Sequence, residues 1–150
     1  MRVVIQRVSE ASVRVDGEIV GSISKGLLVF LGITHDDDIE DVLWLVKKTI
    51  GLRIFNDTND VMNLSLKDTQ GELLVVSQFT LHALTKKGNR PSYIDAAKPE
   101  TALPLYQSFV EDCENALGRS VSTGVFGAMM DVQLSNDGPV TILMDSKNKE

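Results

Sequence analysis

Cysteine and histidine are scarce in this 150-residue sequence, which holds one cysteine and two histidines. The single thiol, Cys113, cannot form an internal disulfide, and its place on the apolar face of a predicted helix indicates a buried core residue rather than a reactive group. No spacing of cysteine and histidine resembles a zinc site, and the glycine patterns that cradle phosphates are missing as well. We therefore expect neither a bound metal nor a cofactor.

Long hydrophobic runs are missing too. The longest, over 27–33, is interrupted by Gly32 and is far shorter than the roughly 20 residues that span a bilayer. The N-terminus shows no secretory signal pattern. We therefore expect a soluble, cytoplasmic protein with no membrane partner.

Positive charge is in short supply, because 15 lysines and arginines stand against 21 aspartates and glutamates for a formal net charge of -6. Broad binding to phosphate backbones draws on many basic contacts and is therefore disfavoured. Any contact with nucleic acid should be local, and the best candidate is the short run with Lys86, Lys87 and Arg90. The acidic run at 36–38 has instead the composition of a helix N-terminus, where carboxylates accept hydrogen bonds from free backbone N–H groups.

The remaining pattern predicts a single domain over residues 1–150, since 43% hydrophobic content at this length suffices for one substantial core. Apolar stretches joined by Asp16-Gly17 predict a hairpin, and the N-terminal third is expected to form a β-meander. Residues 26–33 lack polar alternation, which predicts a strand covered on both faces. Helical spacing predicts one helix over about 39–51 and a second over about 99–118.

Shorter strands and one polar loop are predicted outside those helices. Strands are expected over 52–55 and 73–79, and residues 56–63 are expected to form the loop. Near the C-terminus, apolar and polar residues alternate over 130–135 and again after Pro139. We therefore expect two C-terminal strands that flank a turn.

Conventional catalytic signatures are absent. Ser77 with His82 or His35 is the pair to test for a serine hydrolase, but the sequence lacks a Gly-x-Ser-x-Gly elbow and specifies no orienting carboxylate. Both histidines are predicted to lie at the surface or in loops rather than to act as bases. What remains is a site in which backbone groups and a few hydroxyls orient a substrate that carries its own reactivity.

Two short segments place unusual chemistry where strands should end. Ser77-Gln78-Phe79-Thr80-Leu81 closes an apolar run, and Asn136-Asp137-Gly138-Pro139-Val140-Thr141 lies between two alternating stretches. Glycine before proline can direct a bare carbonyl where a residue with a side chain could not. Taken alone, the second segment is more typical of a tight connection between strands. Together, in this order and at this chain length, the two segments resemble the paired signatures of the D-aminoacyl-tRNA deacylase family.

The resemblance covers nearly the whole chain. It implies an α+β single domain in which mixed, mostly antiparallel β-sheets close in a barrel-like arrangement with two packed α-helices. It also implies a homodimer in which the Gly138-Pro139 turn of one subunit, with a cis peptide bond, enters the site of the other. Further matching segments are Gln6-Arg7-Val8, Ala11-Ser12-Val13, Gly26-Leu27-Leu28-Val29, Met62-Asn63-Leu64, Arg90-Pro91-Ser92, Thr123-Gly124 and Phe126-Gly127-Ala128 with Met130.

The activity that the resemblance implies is hydrolysis of the ester bond of D-aminoacyl-tRNA, which releases the D-amino acid as chiral proofreading in translation. Glycyl-tRNA mischarged on alanine tRNA is expected to be a further substrate. The tRNA 2′-hydroxyl is expected to assist the reaction, which accounts for the missing base. The partner is then the aminoacylated 3′ end of tRNA, a contact small enough to suit an acidic protein.

The same resemblance implies the roles of the site residues. Two backbone carbonyls of the turn face the α-carbon of the substrate and leave no room for an L side chain. Main-chain N–H groups near Gln78 and Phe79 are expected to serve the scissile carbonyl or its oxyanion. Two residues lie near the terminal adenine, namely Phe126 and Met130. The catalytic set is thus Ser77, Gln78, Phe79 and Thr80, and the substrate-binding set is Gly138, Pro139, Phe126, Met130 and Arg7.

Three alternatives stay open. A related deacylase that removes L-alanine from tRNA is similar, but Arg7 and the complete run over 136–141 favour the D-specific type. A DNA-binding protein of replication origins is a role ascribed to some relatives, and the acidic charge and the lack of a basic stripe disfavour it. An inactive dimeric scaffold is the third alternative, and no feature of the sequence supports it.

Overall fold

The computed structural model describes residues 1–149 and is organised around one long strand, β1 (Arg2–Val15). Asp16 and Gly17, with φ of 50° and 83°, turn the chain into β2 (Glu18–Ile23), which confirms the hairpin. The expected meander is wrong, because β3 (Gly26–Gly32) pairs antiparallel with β1 rather than with β2. At 14 residues, β1 is long enough to pair with β3 along its first half and with β2 along its second.

Two parallel strands extend the sheet beyond β3. They are β6 (Glu72–Ser77) and β7 (Ser122–Thr123), and they give the order β2-β1-β3-β6-β7. The sheet curls until β7 approaches β2, where the Ser122 hydroxyl donates to the Ser22 carbonyl at 3.1 Å. The result is a mixed, nearly closed barrel-like sheet, as the resemblance implies.

Both faces of β3 are buried, which confirms the prediction from its continuous apolar run. Leu27 and Val29 belong to the core cluster that includes the helices, whereas Leu28 belongs to a second cluster with Val13 and Leu74. Alternation along a strand sends successive side chains to opposite faces, so one strand supplies both cores.

The two long helices pack against each other and have the predicted bounds. α1 (Ile39–Gly51) begins at Asp38, whose carboxylate accepts from the Glu40 and Asp41 N–H groups, so the acidic run caps the helix as predicted. α3 (Pro99–Leu117) ends at Gly118 with φ 68°. Cys113 lies on the buried face of α3 with no exposed surface, which confirms its predicted place, and burial raises the pKa of its thiol to about 12.

A small excursion between α1 and β6 differs from the predictions. The strand expected over 52–55 is the shorter β4 (Phe55–Asn56). It pairs with β5 (Met62–Leu64), which begins within the loop predicted over 56–63. A third helix, α2 (Leu66–Thr69), was not expected. Four residues are too few to show helical periodicity, and α2 is held by a capping box between Ser65 and Asp68.

The two C-terminal strands expected from the sequence are one strand, β8 (Asp131–Asp145). It runs antiparallel to β1 along its length, from Arg14 opposite Asp131 to Arg2 opposite Asp145. Gln6 pairs with Thr141 and Val8 with Asn136, so residues 137–140 stand opposite Arg7 alone. The predicted turn is therefore a bulge in a continuous strand, because both halves find their partner in β1 rather than in each other.

No helix within residues 1–149 is long and apolar enough to cross a membrane.

Candidate functional site

A cleft of about 710 Å³ opens where β3 and β6 end, beneath the N-terminus of α3. The segment over 126–130 forms its far wall. Six of the site residues expected from the sequence line this cleft together: Ser77, Gln78, Phe79, Thr80, Phe126 and Met130. They come from segments almost 50 residues apart in sequence, which the sheet brings to one edge.

The near wall is a tight turn that begins where β6 ends. Gln78 donates its backbone N–H to the Leu31 carbonyl at 2.8 Å, and a short 3₁₀ helix (Phe79–His82) follows. The Gln78 N–H is thus used to anchor the turn to β3, so of the N–H groups expected to serve an oxyanion, that of Phe79 is left as the candidate. The Phe79 N–H opens the 3₁₀ helix, where the first amides have no acceptor within the helix.

Gly32 explains why the turn can lie so close to β3. A Cβ atom on this residue would sit 2.9 Å from the Gln78 carbonyl oxygen and 3.0 Å from the Leu81 Cβ atom. Side-chain atoms do not approach so closely, so only glycine permits this packing of the 3₁₀ helix on the end of β3.

The side chains of the near wall contact one another through a hydrogen bond and a ring contact. The Gln78 side-chain amide donates to the Thr80 hydroxyl. The Phe79 ring is exposed and meets Tyr93 edge to face, with 5.1 Å between ring centroids and 80° between ring planes. Within the described chain, the residues lining the cleft include no histidine and no carboxylate. The arrangement can orient an ester through amide and hydroxyl groups, but its lining offers no conventional general base.

His82 is buried rather than at the surface, so that prediction is wrong for this residue, whereas His35 is exposed. Burial lowers the pKa of His82, although a hydrogen bond to the Gly32 backbone opposes this effect. Its Nε2 atom has no hydrogen-bond partner among the described residues. His82 thus packs as a neutral ring behind the 3₁₀ helix and does not line the cleft.

Tyr106 supports the far wall and was missed as a site-related residue. Its hydroxyl donates to the Val75 carbonyl at 3.0 Å, and its ring packs on Phe126 with centroids 5.5 Å apart. Burial raises the pKa of Tyr106 to about 12, so the phenol keeps its proton and its hydrogen bond at all physiological pH values. The sequence signal for this role is the position of a tyrosine on the apolar face of α3. A phenol buried there needs a hydrogen-bond acceptor, which indicates a contact with a neighbouring element.

The three remaining expected residues lie at the β8 bulge, outside the cleft. Gly138 and Pro139 are exposed at its tip, and the peptide bond between them is cis, as the resemblance implies. Asn136 closes the bulge, because its Oδ1 atom accepts from the Val140 N–H at 3.1 Å and its Nδ2 atom donates to the Thr141 hydroxyl at 3.0 Å. The tip therefore projects from β8 as a defined shape.

Arg7 lies beneath the bulge and is only 8% exposed. Its Nε atom donates to the Asp137 carbonyl at 3.0 Å, and its Nη1 atom donates to the Ile54 carbonyl at 2.6 Å and to Asn56 Oδ1 at 3.2 Å. These bonds tie the bulge to the chain leading into β4. The geometry suits Arg7 to positioning the bulge more than to contacting a substrate.

Metal coordination has no support in the described part of the chain. Among residues 1–149, no three histidine, cysteine or acidic side chains lie close enough together to hold an ion.

The family of the chain follows from a match along almost its whole length. A family model described as D-Tyr-tRNA(Tyr) deacylase matches residues 4–145. The chain belongs to this family. A protein of Flavobacterium psychrophilum named D-aminoacyl-tRNA deacylase is 66% identical over 150 residues, with 100% of both chains covered. A protein of Bacteroides thetaiotaomicron with the same name is 59% identical over 150 residues, again with 100% of both chains covered.

Solved structures agree with the fold. The chain matches a structure titled c-Myc DNA Unwinding Element Binding Protein with a TM-score of 0.90 and 40% identity, covering 97% of this chain and 98% of the other. A structure described as a probable eukaryotic D-amino acid tRNA deacylase matches with a TM-score of 0.81, over 95% and 97% of the two chains. At 19% identity, the second match bears on the fold alone.

Proposed function

We propose that this protein hydrolyses the ester bond of D-aminoacyl-tRNA, releasing free D-amino acid and tRNA, as a chiral proofreading enzyme of translation. The observation that carries the proposal is the cleft in which the Ser77–Thr80 segment faces Phe126 and Met130. The names of the relatives at 66% and 59% identity support the same activity. Because aminoacyl-tRNA is made and used in the cytoplasm, the proposed location is cytoplasmic.

Catalysis in this proposal relies on the substrate. The aminoacyl ester sits on a ribose whose neighbouring 2′-hydroxyl assists the attack of water on the ester carbonyl. The Phe79 N–H donates to the carbonyl oxygen as negative charge builds on it, and Gln78 fixes the Thr80 hydroxyl at the cleft wall. The C–O bond to the ribose then breaks, and the ribose oxygen takes up the proton. The lack of a histidine or carboxylate in the lining of the described cleft is consistent with this route.

A substrate that ends in 2′-deoxyadenosine, charged at its 3′ position, tests this route. Hydrolysis should fall by orders of magnitude relative to the ribose substrate. An undiminished rate would rule out assistance by the 2′-hydroxyl.

Stereochemical selection is assigned to the bulge of a second copy. Gly138 and Pro139 are exposed and do not line the cleft of their own chain, which supports a site shared with another subunit. In the resulting homodimer, their carbonyls face the α-carbon and exclude an L side chain. Arg7 is then a positioning residue for the bulge. Glycine lacks the excluded side chain, so glycyl-tRNA mischarged on alanine tRNA is also a substrate.

Mixing two impaired variants tests the shared site. Chains with Gly138→Ala have an altered bulge but an unaltered cleft, and chains with Gln78→Ala have an altered cleft but an unaltered bulge. A mixed dimer would contain one site in which both parts are unaltered, so mixing should raise the activity above that of either variant alone. A fully active monomer in sedimentation at assay concentration would contradict the homodimer.

Two other functions are weaker candidates. The structure with 40% identity carries a title that names DNA-element binding, so duplex DNA binding is a second candidate for this chain. The formal net charge of -6 opposes it. Removal of L-alanine from tRNA is the other candidate. Titration with duplex DNA and hydrolysis of L-alanyl-tRNA, each measured beside D-aminoacyl-tRNA hydrolysis, separate the three.

A further inference from the structure

A basic tip, defined here as residues 85–91, lies in the chain between two parts of the cleft wall, the Ser77–Thr80 segment and Tyr93. It contains Lys86, Lys87 and Arg90 and no carboxylate, although acidic residues outnumber basic ones by 21 to 15 in the whole chain. All of its residues are exposed. None of its three cations forms an ion pair within residues 1–149. The basic tip is therefore a locally positive segment on an acidic protein.

Both ends of the basic tip are fixed to the cleft. On one side, the tip follows the 3₁₀ helix, where the Ala83 N–H donates to the Thr80 carbonyl at 3.1 Å. Leu84 and Ser92 then exchange two backbone hydrogen bonds, of 2.8 and 3.0 Å, and close the loop. On the other side comes Tyr93, which lines the cleft and packs on Phe79. The tip is therefore a short hairpin-like projection whose base is part of the cleft wall.

The length of the loop limits how far the basic tip extends from the cleft wall. The loop bends over residues 86–90, so its end lies closer to the Leu84–Ser92 pair than the roughly 10 Å that three extended residues would span. A substrate whose reactive ester lies in the cleft must leave through the mouth of the cleft. Lys98 also lines the cleft, so the exit path carries positive charge at more than one point. A polyanion that continues from the ester past Tyr93 would run toward these cations.

We propose that the basic tip binds backbone phosphates of the tRNA 3′ end while the aminoacyl ester occupies the cleft. This rests on the proposed function, since it concerns the same substrate. The nucleotides that precede the terminal adenosine are single-stranded and carry one phosphate each. Lysine and arginine contacts to them provide affinity without sequence selection. The tip thus makes a local contact with RNA possible for a protein whose overall charge repels it.

Binding of a non-hydrolysable substrate tests the tip directly. The probe is D-tyrosyl-tRNA with a 3′-amide in place of the ester, measured by fluorescence anisotropy at several salt concentrations. Three contacts to single-stranded phosphates give a slope of roughly −2 in log K against log salt, which is on the order of a 20-fold loss between 50 and 200 mM. The variant Lys86→Ala/Lys87→Ala/Arg90→Ala should lose most of this slope.

Two matched variants serve as controls. Removing three exposed lysines that do not line the cleft, as Lys25→Ala/Lys47→Ala/Lys67→Ala, changes the net charge equally and should keep the slope. Exchanging the charges conservatively, as Lys86→Arg/Lys87→Arg/Arg90→Lys, should restore wild-type binding. A slope unchanged in the alanine variant of the tip, or an equal loss in the lysine control, would overturn the proposal.

Hydrolysis of a minimal substrate separates this proposal from the proposed function. D-tyrosyl-adenosine has an ester but no phosphates, so the tip variant should hydrolyse it at the wild-type rate while its KM for D-tyrosyl-tRNA rises about tenfold. Equal loss on both substrates would mean that the tip only supports the cleft. If wild type hydrolyses neither substrate, the proposed function fails, and amide-tRNA binding still decides the role of the tip. Tighter binding of duplex DNA than of tRNA, lost in the tip variant, would assign the tip to DNA instead.

Discussion

Gly138→Ala is the substitution that probes the β8 bulge most sharply. Gly138 has a φ of 136°, a backbone conformation that residues with side chains rarely adopt. An added Cβ atom would lie 2.7 Å from the Val140 Cγ2 atom, 2.9 Å from the Val140 N atom and 3.2 Å from the Arg7 Nη2 atom. The backbone nitrogen cannot yield as a side-chain end would, so the bulge itself has to move.

The size of the effect follows from that displacement. Relief of contacts below 3.0 Å requires a shift of several tenths of an ångström, and the unfavourable φ adds about 1–3 kcal/mol of local strain. If the bulge closes the cleft of a partner subunit, a misplacement near 1 Å costs on the order of 100-fold in rate. A shift of several tenths of an ångström costs part of that factor, so we expect a folded protein with hydrolysis of D-tyrosyl-tRNA reduced roughly 10- to 100-fold.

Single-turnover hydrolysis of D- and L-tyrosyl-tRNA, with thermal unfolding measured alongside, provides the assay. Gly118→Ala is the matched control, because Gly118 also has positive φ, 68°, but a Cβ atom there meets nothing within 4 Å and the residue ends α3 far from the bulge in sequence. The control should lose only the roughly 1–2 kcal/mol of a left-handed residue with a side chain and keep its activity. A folded Gly138→Ala protein with wild-type rates on the D substrate and wild-type rejection of the L substrate would refute the role given to the bulge.

Three further substitutions have definite expected outcomes. Burial lowers the pKa of His82, so below the ordinary pKa of 6.5 the unfolded state binds a proton that the folded state does not. The free energy of unfolding should therefore drop by up to about 1.4 kcal/mol per pH unit as the pH falls below 6.5. Denaturant unfolding should show this slope in wild type and in His35→Gln, but not in His82→Gln. The Thr49 hydroxyl is fully buried without a hydrogen-bond partner among the described residues, so Thr49→Val should raise the unfolding free energy by about 1 kcal/mol, and a loss of stability would show a missed partner. Thr80→Ala should lose less than the roughly 100-fold that a general base supplies, and a larger loss in single-turnover assays would make Thr80 a chemical participant.

Elements with a strong internal pattern could be predicted from the sequence. α1 and α3 each present an apolar stripe over at least three turns, and their ends carry residues with a physical reason to stop or start a helix, such as Asp38 and Gly118. The burial of β3 on both faces likewise follows from its own composition. These features depend on nearby residues alone.

Features that depend on pairing between distant strands could not be predicted in the same way. The alternation in β8 is identical for two strands joined by a turn and for one strand with a bulge, and only the 14 residues of β1 decide between them. The order of β1, β2 and β3 depends on the same length. Sequence periodicity shows which face of a strand is buried, but not which strand lies at each edge.

The sequence allowed us to predict which residues line the cleft, but not the hydrogen bonds and burial within its wall. The signature around Ser77 and the Phe126–Met130 segment do meet in one cleft. The use of the Gln78 N–H by Leu31 could not be foreseen, because it depends on the close packing of the turn at Gly32. The burial of His82 has the same origin, since the 3₁₀ helix turns its ring inward behind that turn.

Selection by the handedness of the substrate is tested most directly by hydrolysis of D-tyrosyl-tRNA and L-tyrosyl-tRNA, prepared on the same tRNA, by the purified wild-type protein under single-turnover conditions. We predict rapid release of D-tyrosine and release of L-tyrosine no faster than in buffer. Equal rates on both substrates, or no rate above buffer on the D substrate, would contradict this prediction.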